Sequence, residues 1–593
     1  MKEESGHTAH INMADSRAVL QQWLESPYVD EATKDELRAI AHDDQEVTER
    51  FYKSLEFGTA GLRGIIAAGT NRMNIYTVRQ ATQGMAEYVK AKGPEAMEAG
   101  VAIAFDCRNM SKEFAVAAAE VLNGNGIKVY TFEDLRPTPE LSYAVRKLQT
   151  AAGIMITASH NPKEYNGYKA YGADGAQFGY DDANMVYDAM NAITDFGQIK
   201  LMDAETAQAK GLLVFMGEEM DKAYIDNAKA QAVNPKYMEE MADDVTIIYT
   251  PLHGCGNIPV RRALKELGFT KVHVVKEQEL PDGNFSTVKS PNPEVPSAFD
   301  LARELDKTID ADLIIATDPD SDRMGMIVKD PNGQQTVLTG NQAGALLLDY
   351  IVRNSVEGPN PPQKPFAVST IVTSRLARKI CDTYNVNYYE CLTGFKWICN
   401  QVKIHDEDGD ETFLFGFEES FGYTKGTNVR DKDAVIAVTL AAEMTCYYKK
   451  QGKTLHDAVL ELYDRYGYFA DGISNFTREG KAGAEQIQRA MKRLRENGVR
   501  KFGKYEAQIV EDFSTSIKTN FVDGSTSPVD IPKSNVLRYS INDDIWFAIR
   551  PSGTEPKIKI YYGVRSPESM DAAKALLADV QADVLSAFEP LLV

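Results

Sequence analysis

The chain has 593 residues, 43% hydrophobic and 25% charged, an ordinary globular composition that excludes a largely disordered protein. Asp and Glu (86) outnumber Lys and Arg (65), and the net charge of −21 argues against nucleic-acid partners and anionic membrane surfaces. None of the six cysteines sits in a C-x-x-C pair, which excludes a zinc ribbon or a dithiol redox site. The polar N-terminus shows no signal peptide, and no uncharged apolar run approaches the ~20 residues of a membrane span, so a cytoplasmic setting is expected.

The first fifty residues read as helical. Val19, Leu20, Trp23 and Leu24 share one face behind Asp15-Ser16, and a second, polar helix covers about 31–55. Strands and helices then alternate: strand 101–105, helix 114–122, strand 127–132, helix 140–148, strand 152–156. This rhythm predicts a mainly parallel sheet with helices on both faces. It recurs at 246–249, 260–267, 272–275, 298–305 and 313–316, and a third time from 326–328 to 413–417, interrupted by the turn-rich loop 355–365. The three sets share a rhythm without detectable sequence similarity, which leaves internal triplication open. The last part has a helix near 482–496, short strands at 509–513, 536–539, 545–549 and 557–562, and a final helix 567–588. Its short connections suggest an α+β unit with an antiparallel sheet. Boundaries near 212, 330 and 465 divide the chain into domains 1–212, 213–330, 331–465 and 466–593, the four that ~150 residues per domain suggests.

Three loops could carry chemistry. Thr157-Ala158-Ser159-His160-Asn161-Pro162 follows a buried strand, at the sheet edge where α/β folds bind ligands. Ser159 is a candidate nucleophile there, and a polar turn ended by Pro162 is the alternative. Without a G-x-S-x-G elbow acyl transfer is disfavoured, and neighbouring extended side chains point opposite ways, so Ser159 and His160 should not form a dyad. Asp318-Pro319-Asp320-Ser321-Asp322-Arg323 puts three carboxylates on alternate residues, a ligand set for a hard cation such as Mg²⁺ or Ca²⁺. An EF-hand is excluded, since Arg323 and Lys329 stand where its Gly and Glu belong. Arg550-Pro551-Ser552-Gly553-Thr554-Glu555-Pro556-Lys557 reads either as a phosphate cradle or as a turn-rich hairpin. Gly254-Cys255-Gly256 lacks the third glycine of a dinucleotide turn, and Gly452-Lys453-Thr454 the first glycine of a P-loop. Arg63, Lys169 and Lys396 each sit in a stretch that reads as a Gly-bearing loop.

Together these loops resemble the α-D-phosphohexomutase family from about Glu56 to near the C-terminus. Four motifs stand in the family's order: 157–162 with Asn166-Gly167-Tyr168-Lys169, then 318–323, then Gly416-Phe417-Glu418-Glu419-Ser420-Phe421-Gly422, then 550–557. The resemblance implies four domains around a central cleft, three α/β and a smaller antiparallel one at the C-terminus. It implies a phosphoryl group carried on Ser159, with Ser159, Asp318, Asp320 and Asp322 holding one Mg²⁺. Arg63, His160, Lys169, Arg323 and Lys396 would surround the transferring group. Thr393, Gly394, Glu418 and Ser420 would hold the sugar, and Arg550, Ser552, Gly553, Thr554 and Lys557 the non-reacting phosphate.

The expected reaction interconverts glucose 1-phosphate and glucose 6-phosphate, with glucose 1,6-bisphosphate as intermediate and activator. Mannose or pentose phosphates are the alternative substrates: Glu-Glu-Ser-Phe looks like glucose-preferring members, whereas Gly58–Gly64 and Thr393–Trp397 resemble a subgroup containing phosphopentomutases. Lys396 and Lys169 are the candidates for moving the hydroxyl proton, through a pKa lowered by crowded cations. Small sugar phosphates are the expected partners of a monomer or dimer, and the N-terminal helices depart from the shorter family pattern.

Overall fold

A strand covered by helices on both faces must be apolar throughout, and Val101–Phe105 is buried at all five positions. The computed structural model describes residues 13–478, 480–552 and 557–592. The chain forms two compact units, the first made of residues up to Ala232, Met238–Met326 and Thr427–Ala442, the second of Val233–Tyr237, Ile327–Gly426 and Glu443 onward.

The first unit holds two sheets. One contains β1 (Leu62–Ile65), β2 (Val101–Phe105), β3 (Val129–Phe132), β4 (Ala152–Ile156), β5 (Tyr165–Gly172) and β6 (Leu213–Met216), in the order β1-β5-β4-β2-β3-β6. Strands β2, β3, β4 and β6 run parallel, while β5 pairs antiparallel with both β4 and β1. The sheet is therefore mixed, and through β6 it extends to Met216, past residue 212. In the second sheet β7 (Thr246–Thr250) pairs parallel with β8 (Lys271–Val274) and β9 (Leu313–Thr317). The aspartate loop leaves the carboxyl end of β9 and returns as β10 (Met324–Lys329).

Three N-terminal helices, Met13–Glu25, Glu31–Ile40 and Asp44–Phe51, replace the expected two. The expected long second helix breaks because the Asp43 carboxylate accepts the backbone N–H groups of Gln45 and Glu46 and starts a new helix. Trp23 anchors this extension, meeting Phe51, Tyr76 and Phe196 edge-on at centroid distances of 5.8, 5.4 and 5.3 Å.

In the second unit, β11 (Gln335–Val337) forms a hairpin with the end of β10. Strands β12 (Pro365–Thr370), β13 (Asn387–Cys391), β14 (Thr412–Glu418) and β15 (Gly422–Thr424) form a sheet ordered β13-β12-β14-β15. Here β12 is parallel to β13 and β14, and β15 folds back antiparallel. The C-terminal part contains β16 (Tyr468–Thr477), a small ribbon of β17 (Lys501–Phe502) and β18 (Tyr505–Glu506), then β19 (Ile509–Asp512), β20 (Ile517–Asn520), β21 (Thr526–Pro528), β22 (Leu537–Ser540), β23 (Ile545–Pro551) and β24 (Lys557–Ser566). Apart from the ribbon these make one antiparallel sheet ordered β16-β24-β23-β22-β19-β20-β21, packed on helices Gly480–Glu496 and Met570–Phe588. Three mixed α/β sheets and one antiparallel α+β part are the fold class the sequence suggested.

Trp23→Ala should destabilise the first unit by about 3–5 kcal/mol, the usual cost of deleting a buried aromatic side chain. Urea unfolding followed by circular dichroism checks this, and an unchanged first transition would show the extension to be dispensable.

Candidate active site

Ser159 lies just past β4 with φ 52°, a left-handed conformation that a non-glycine residue adopts only when its surroundings impose it. Its N–H donates to Thr157 Oγ1 at 2.8 Å, and the Thr157 hydroxyl donates to Asp106 Oδ2 at 2.6 Å. This turn aims the Ser159 hydroxyl at Asp318 Oδ2, 3.1 Å away. It also overturns one expectation: His160 Nδ1 lies 3.3 Å from Ser159 Oγ, because the backbone between them is left-handed rather than extended. Burial and the neighbouring Arg323 guanidinium push the His160 pKa down to about 2, so the imidazole is neutral.

Asp318, Asp320 and Asp322 are each fully buried, and their oxygens lie within 4.8 Å of one another. Asp318 Oδ1 folds the loop by accepting the N–H groups of Asp322 and Arg323, both at 3.0 Å, which leaves Oδ2 for Ser159. Asp320 Oδ2 accepts from Thr138 Oγ1 at 2.7 Å and from Lys169 Nζ at 2.8 Å. Lys432 Nζ lies 2.8 Å from Asp322 Oδ2. Two buried oxygens, Asp320 Oδ1 and Asp322 Oδ1, have no hydrogen-bond partner among the described residues. Buried unpaired carboxylate oxygens are costly, and an oxygen-only set of this kind suits a hard divalent cation. Burial and the other two aspartates hold the Asp318 pKa well above the ordinary carboxylate value. For Asp322 the ammonium groups of Lys432 and Lys169 outweigh burial and lower it.

The basic residues differ from expectation in their setting. Lys169 lies on β5, paired with Met155, and Arg63 on β1, paired with Gly167; neither is in a loop. Gly61, at the turn into β1, has φ 76°, and a Cβ there would stand 1.7 Å from the Tyr168 carbonyl oxygen. Arg63 Nη1 donates to Asn161 Oδ1 at 3.0 Å, and Arg323 Nη1 to Glu294 Oε1 at 2.7 Å. The lowered pKa expected for Lys169 is also reversed. Burial alone would lower it, but the carboxylates of Asp320 and Asp322 raise it, so the ammonium stays charged.

Sequence reasoning missed Lys432. It belongs to a run of four charged residues, Arg430-Asp431-Lys432-Asp433, in front of the apolar helix Ala434–Lys450, and all four are buried. Tyr171 Oη and Gln177 Nε2 donate to Asp431, and Tyr224 Oη donates to Asp433. The available signal was a block of charges with no solvent-facing helix to carry it. The pair Gly254 and Gly256 is also explained: a Cβ on Gly254 would stand 2.5 Å from Pro319 Cα, so the glycine lets the turn pack against the aspartate loop.

In the second unit, Glu418 ends β14 opposite Gly422, and Glu419 and Ser420 lie in the tight loop to β15. Glu419 Oε2 accepts from Thr370 Oγ1 at 2.8 Å and Thr373 Oγ1 at 3.3 Å. Burial raises the Glu419 pKa, and the Arg550 charge opposes that rise. Arg550 lies on β23, and Ser552 N–H donates to the Lys557 carbonyl at 2.8 Å. Gly553 and Thr554 lie outside the described residues. Thr393 and Gly394 precede helix Phe395–Asp408, Gly394 with φ 110°, which puts Lys396 in the first helical turn rather than in a loop. Partial burial lowers the Lys396 pKa.

A divalent cation held by the triad should raise the thermal midpoint of the protein, since a ligand at a hundred times its Kd contributes about 2.7 kcal/mol. Asp320→Asn should abolish that shift in differential scanning calorimetry; an equal shift in the variant would remove the triad as the cation site.

Four family models match in order: the alpha/beta/alpha domains I (residues 54–196), II (222–333) and III (339–466) and the C-terminal domain (475–580) of phosphoglucomutase/phosphomannomutase. A phosphoglucomutase of Staphylococcus haemolyticus is 39% identical over 539 residues, covering 89% of this chain and 94% of its own. One from Staphylococcus aureus is 37% identical over 543 residues, covering 90% and 94%. The crystal structure of Paramecium parafusin, a phosphoglucomutase in its open form, shares the fold with TM-score 0.68 at 18% identity, covering 91% of this chain and 96% of its own. The order of the four domains and the full-length relatives establish that this chain belongs to the phosphoglucomutase/phosphomannomutase family, the α-D-phosphohexomutases.

Proposed function

We propose that the chain is an isomerase that interconverts α-D-glucose 1-phosphate and D-glucose 6-phosphate through phospho-Ser159 and glucose 1,6-bisphosphate. The observation that carries this reading is the Ser159 hydroxyl held 3.1 Å from Asp318 inside a buried triad of aspartates. The choice of glucose is supported by relatives named phosphoglucomutase that match nearly the whole chain.

In the forward half-reaction the Ser159 Oγ–P bond breaks and a bond forms from phosphorus to a sugar hydroxyl oxygen, whose proton departs. The bisphosphate turns end for end, and its other phosphoryl group returns to Ser159 Oγ. Lys169, kept charged by the aspartates beside it, stabilises negative charge spread over the phosphoryl oxygens. Arg63 and Arg323 add guanidinium donors on the same unit. Lys432 balances Asp322 and holds it ionised. Neutral His160, beside Ser159 Oγ, offers a lone pair or an N–H according to its tautomer without adding charge.

Of the two lysines considered for the hydroxyl proton, Lys396 suits acceptance better, because burial lowers its pKa whereas that of Lys169 is raised. Asp318, Asp320, Asp322 and Ser159 would hold one Mg²⁺, which when bound polarises a phosphoryl oxygen as a Lewis acid. Glu418 and Ser420 would grip sugar hydroxyls, with Thr393 and Gly394 beside them. Arg550, Ser552, Gly553, Thr554 and Lys557 would hold the phosphate that does not react. Among the described residues no helix is long and apolar enough to cross a membrane, and no disulfide joins the six cysteines. A cytoplasmic setting belongs to the same proposal, on the likeness to bacterial phosphoglucomutases.

The family description also names phosphomannomutase, so the sugar is decided by ranking kcat/KM for glucose, mannose and ribose 1-phosphates. Glucose 1-phosphate should rank first in an assay coupled to glucose-6-phosphate dehydrogenase with trace glucose 1,6-bisphosphate. Ser159→Ala should lower kcat by at least ~10³-fold with sugar-phosphate affinity retained. Full turnover in that variant would assign the phosphoryl group to another residue. Arg550→Ala should chiefly raise KM, and a loss confined to kcat would contradict a positioning role.

A further inference from the structure

The backbone around Ser159 is held by one side chain that the reaction above does not use. Arg108 is only 4% exposed, and its guanidinium donates to three carbonyl oxygens of the loop and to one at the start of β5. Nη2 reaches Ser159 O at 2.6 Å and Asn161 O at 2.5 Å, while Nη1 reaches Pro162 O at 2.9 Å and Tyr165 O at 3.1 Å. Asp106 balances the charge: its Oδ2 lies 3.4 Å from Arg108 Nε, and its Oδ1 accepts the Arg108 N–H at 2.9 Å. The same carboxylate holds Thr157, the residue that accepts the Ser159 N–H. Both peptide groups flanking the Ser159 Cα therefore end on one Asp106–Arg108 pair.

The guanidinium is itself positioned. Its carbon sits 5.1 Å from the centroid of the Phe285 ring, which is 3% exposed. Phe285 belongs to a loop tied down by His253, whose ring nitrogens contact Leu280 O at 3.0 Å and Thr287 Oγ1 at 2.8 Å. Two residues after His253, the Cys255 N–H donates to Pro319 O, inside the aspartate loop, at 2.8 Å. A continuous set of contacts thus runs from the serine loop to the aspartate loop.

We propose that Arg108 is a positioning residue for phosphoryl transfer, holding the left-handed backbone that turns Ser159 Oγ toward Asp318 without itself touching the phosphoryl group. This inference rests on Ser159 as the phosphoryl carrier. Only a guanidinium has a rigid fork of donors able to serve four carbonyls at once; a lysine supplies the charge without the fork. Loading Ser159 from glucose 1,6-bisphosphate forms the Oγ–P bond, breaks one sugar O–P bond and passes the serine proton to the sugar oxygen. The rate of that step depends on where Oγ stands.

The test follows loading of the dephosphorylated full-length protein by intact mass, in Mg²⁺ and glucose 1,6-bisphosphate, beside steady-state kinetics. Arg108→Lys should lose about 100-fold in both loading rate and kcat, the cost of a misplaced reacting atom. Its KM should stay within about threefold of wild type and its Mg²⁺-induced thermal shift should be unchanged, a split that general damage to the fold would not give. Added guanidinium should restore part of the loading rate to Arg108→Ala. Loading of Arg108→Lys at the wild-type rate, or a loss confined to KM, would overturn the proposal. Where the arginine variants do not fold, Phe285→Leu decides. It should load about tenfold more slowly, as removal of the stacked ring loosens the guanidinium, and an unchanged rate in it overturns the proposal. Wild-type protein that takes no phosphoryl group on Ser159 would overturn the carrier assignment as well, and is distinguished because the defect then precedes any substitution.

Discussion

Three carboxylates buried in one short loop are the constraint on which the first unit depends. Like charges this close repel one another, and each has lost its hydration. The chain answers with cations from three places: Lys169 from β5, Lys432 from the start of helix Ala434–Lys450, and Arg323 from the loop itself. The antiparallel strand β5 added beside β4 brings Lys169 under the aspartates, and the return of residues 427–442 to the first unit brings Lys432. Asp320 Oδ1 and Asp322 Oδ1 have no hydrogen-bond partner among the described residues, and a divalent ion could use them. A strongly acidic protein in this way offsets three buried carboxylates with three local cations.

What was legible in the sequence was local. Alternate aspartates after an apolar strand, a hydroxyl-bearing turn after another, and the β-α rhythm all follow from neighbours within a few residues. The family resemblance extended this to four loops and to the fold class. The misread elements have physical reasons. The strand Tyr165–Gly172 reads YNGYKAYG, with two glycines and no aliphatic residue longer than alanine, so it looked like a loop although six of its eight residues are buried. The break at Asp43 is a capping event inside an otherwise helical pattern.

The long-range partners were not legible at all. Arg108 lies 51 residues before Ser159, and no periodicity reports a guanidinium folded onto another loop's carbonyls. Lys432 is 110 positions beyond Asp322 and hides in a charge run that resembles a solvated surface. The His160 orientation depended on the sign of one backbone angle, which strand alternation cannot supply. The titration of Lys169 likewise turned on which charges lie nearest: a crowd of cations was expected, and two carboxylates outweighed it.

The return of Thr427–Ala442 to the first unit has a consequence for biosynthesis. A ribosome emits Asp318, Asp320 and Asp322 long before it emits Lys432, so the early polypeptide carries an acidic knot whose late counterion has not yet been translated. That unit can be completed only after Ala442, about three quarters of the way along the chain, has been synthesised. Completion of the aspartate-bearing unit is thereby tied to prior synthesis of the first part of its companion, Val233–Tyr237 and Ile327–Gly426.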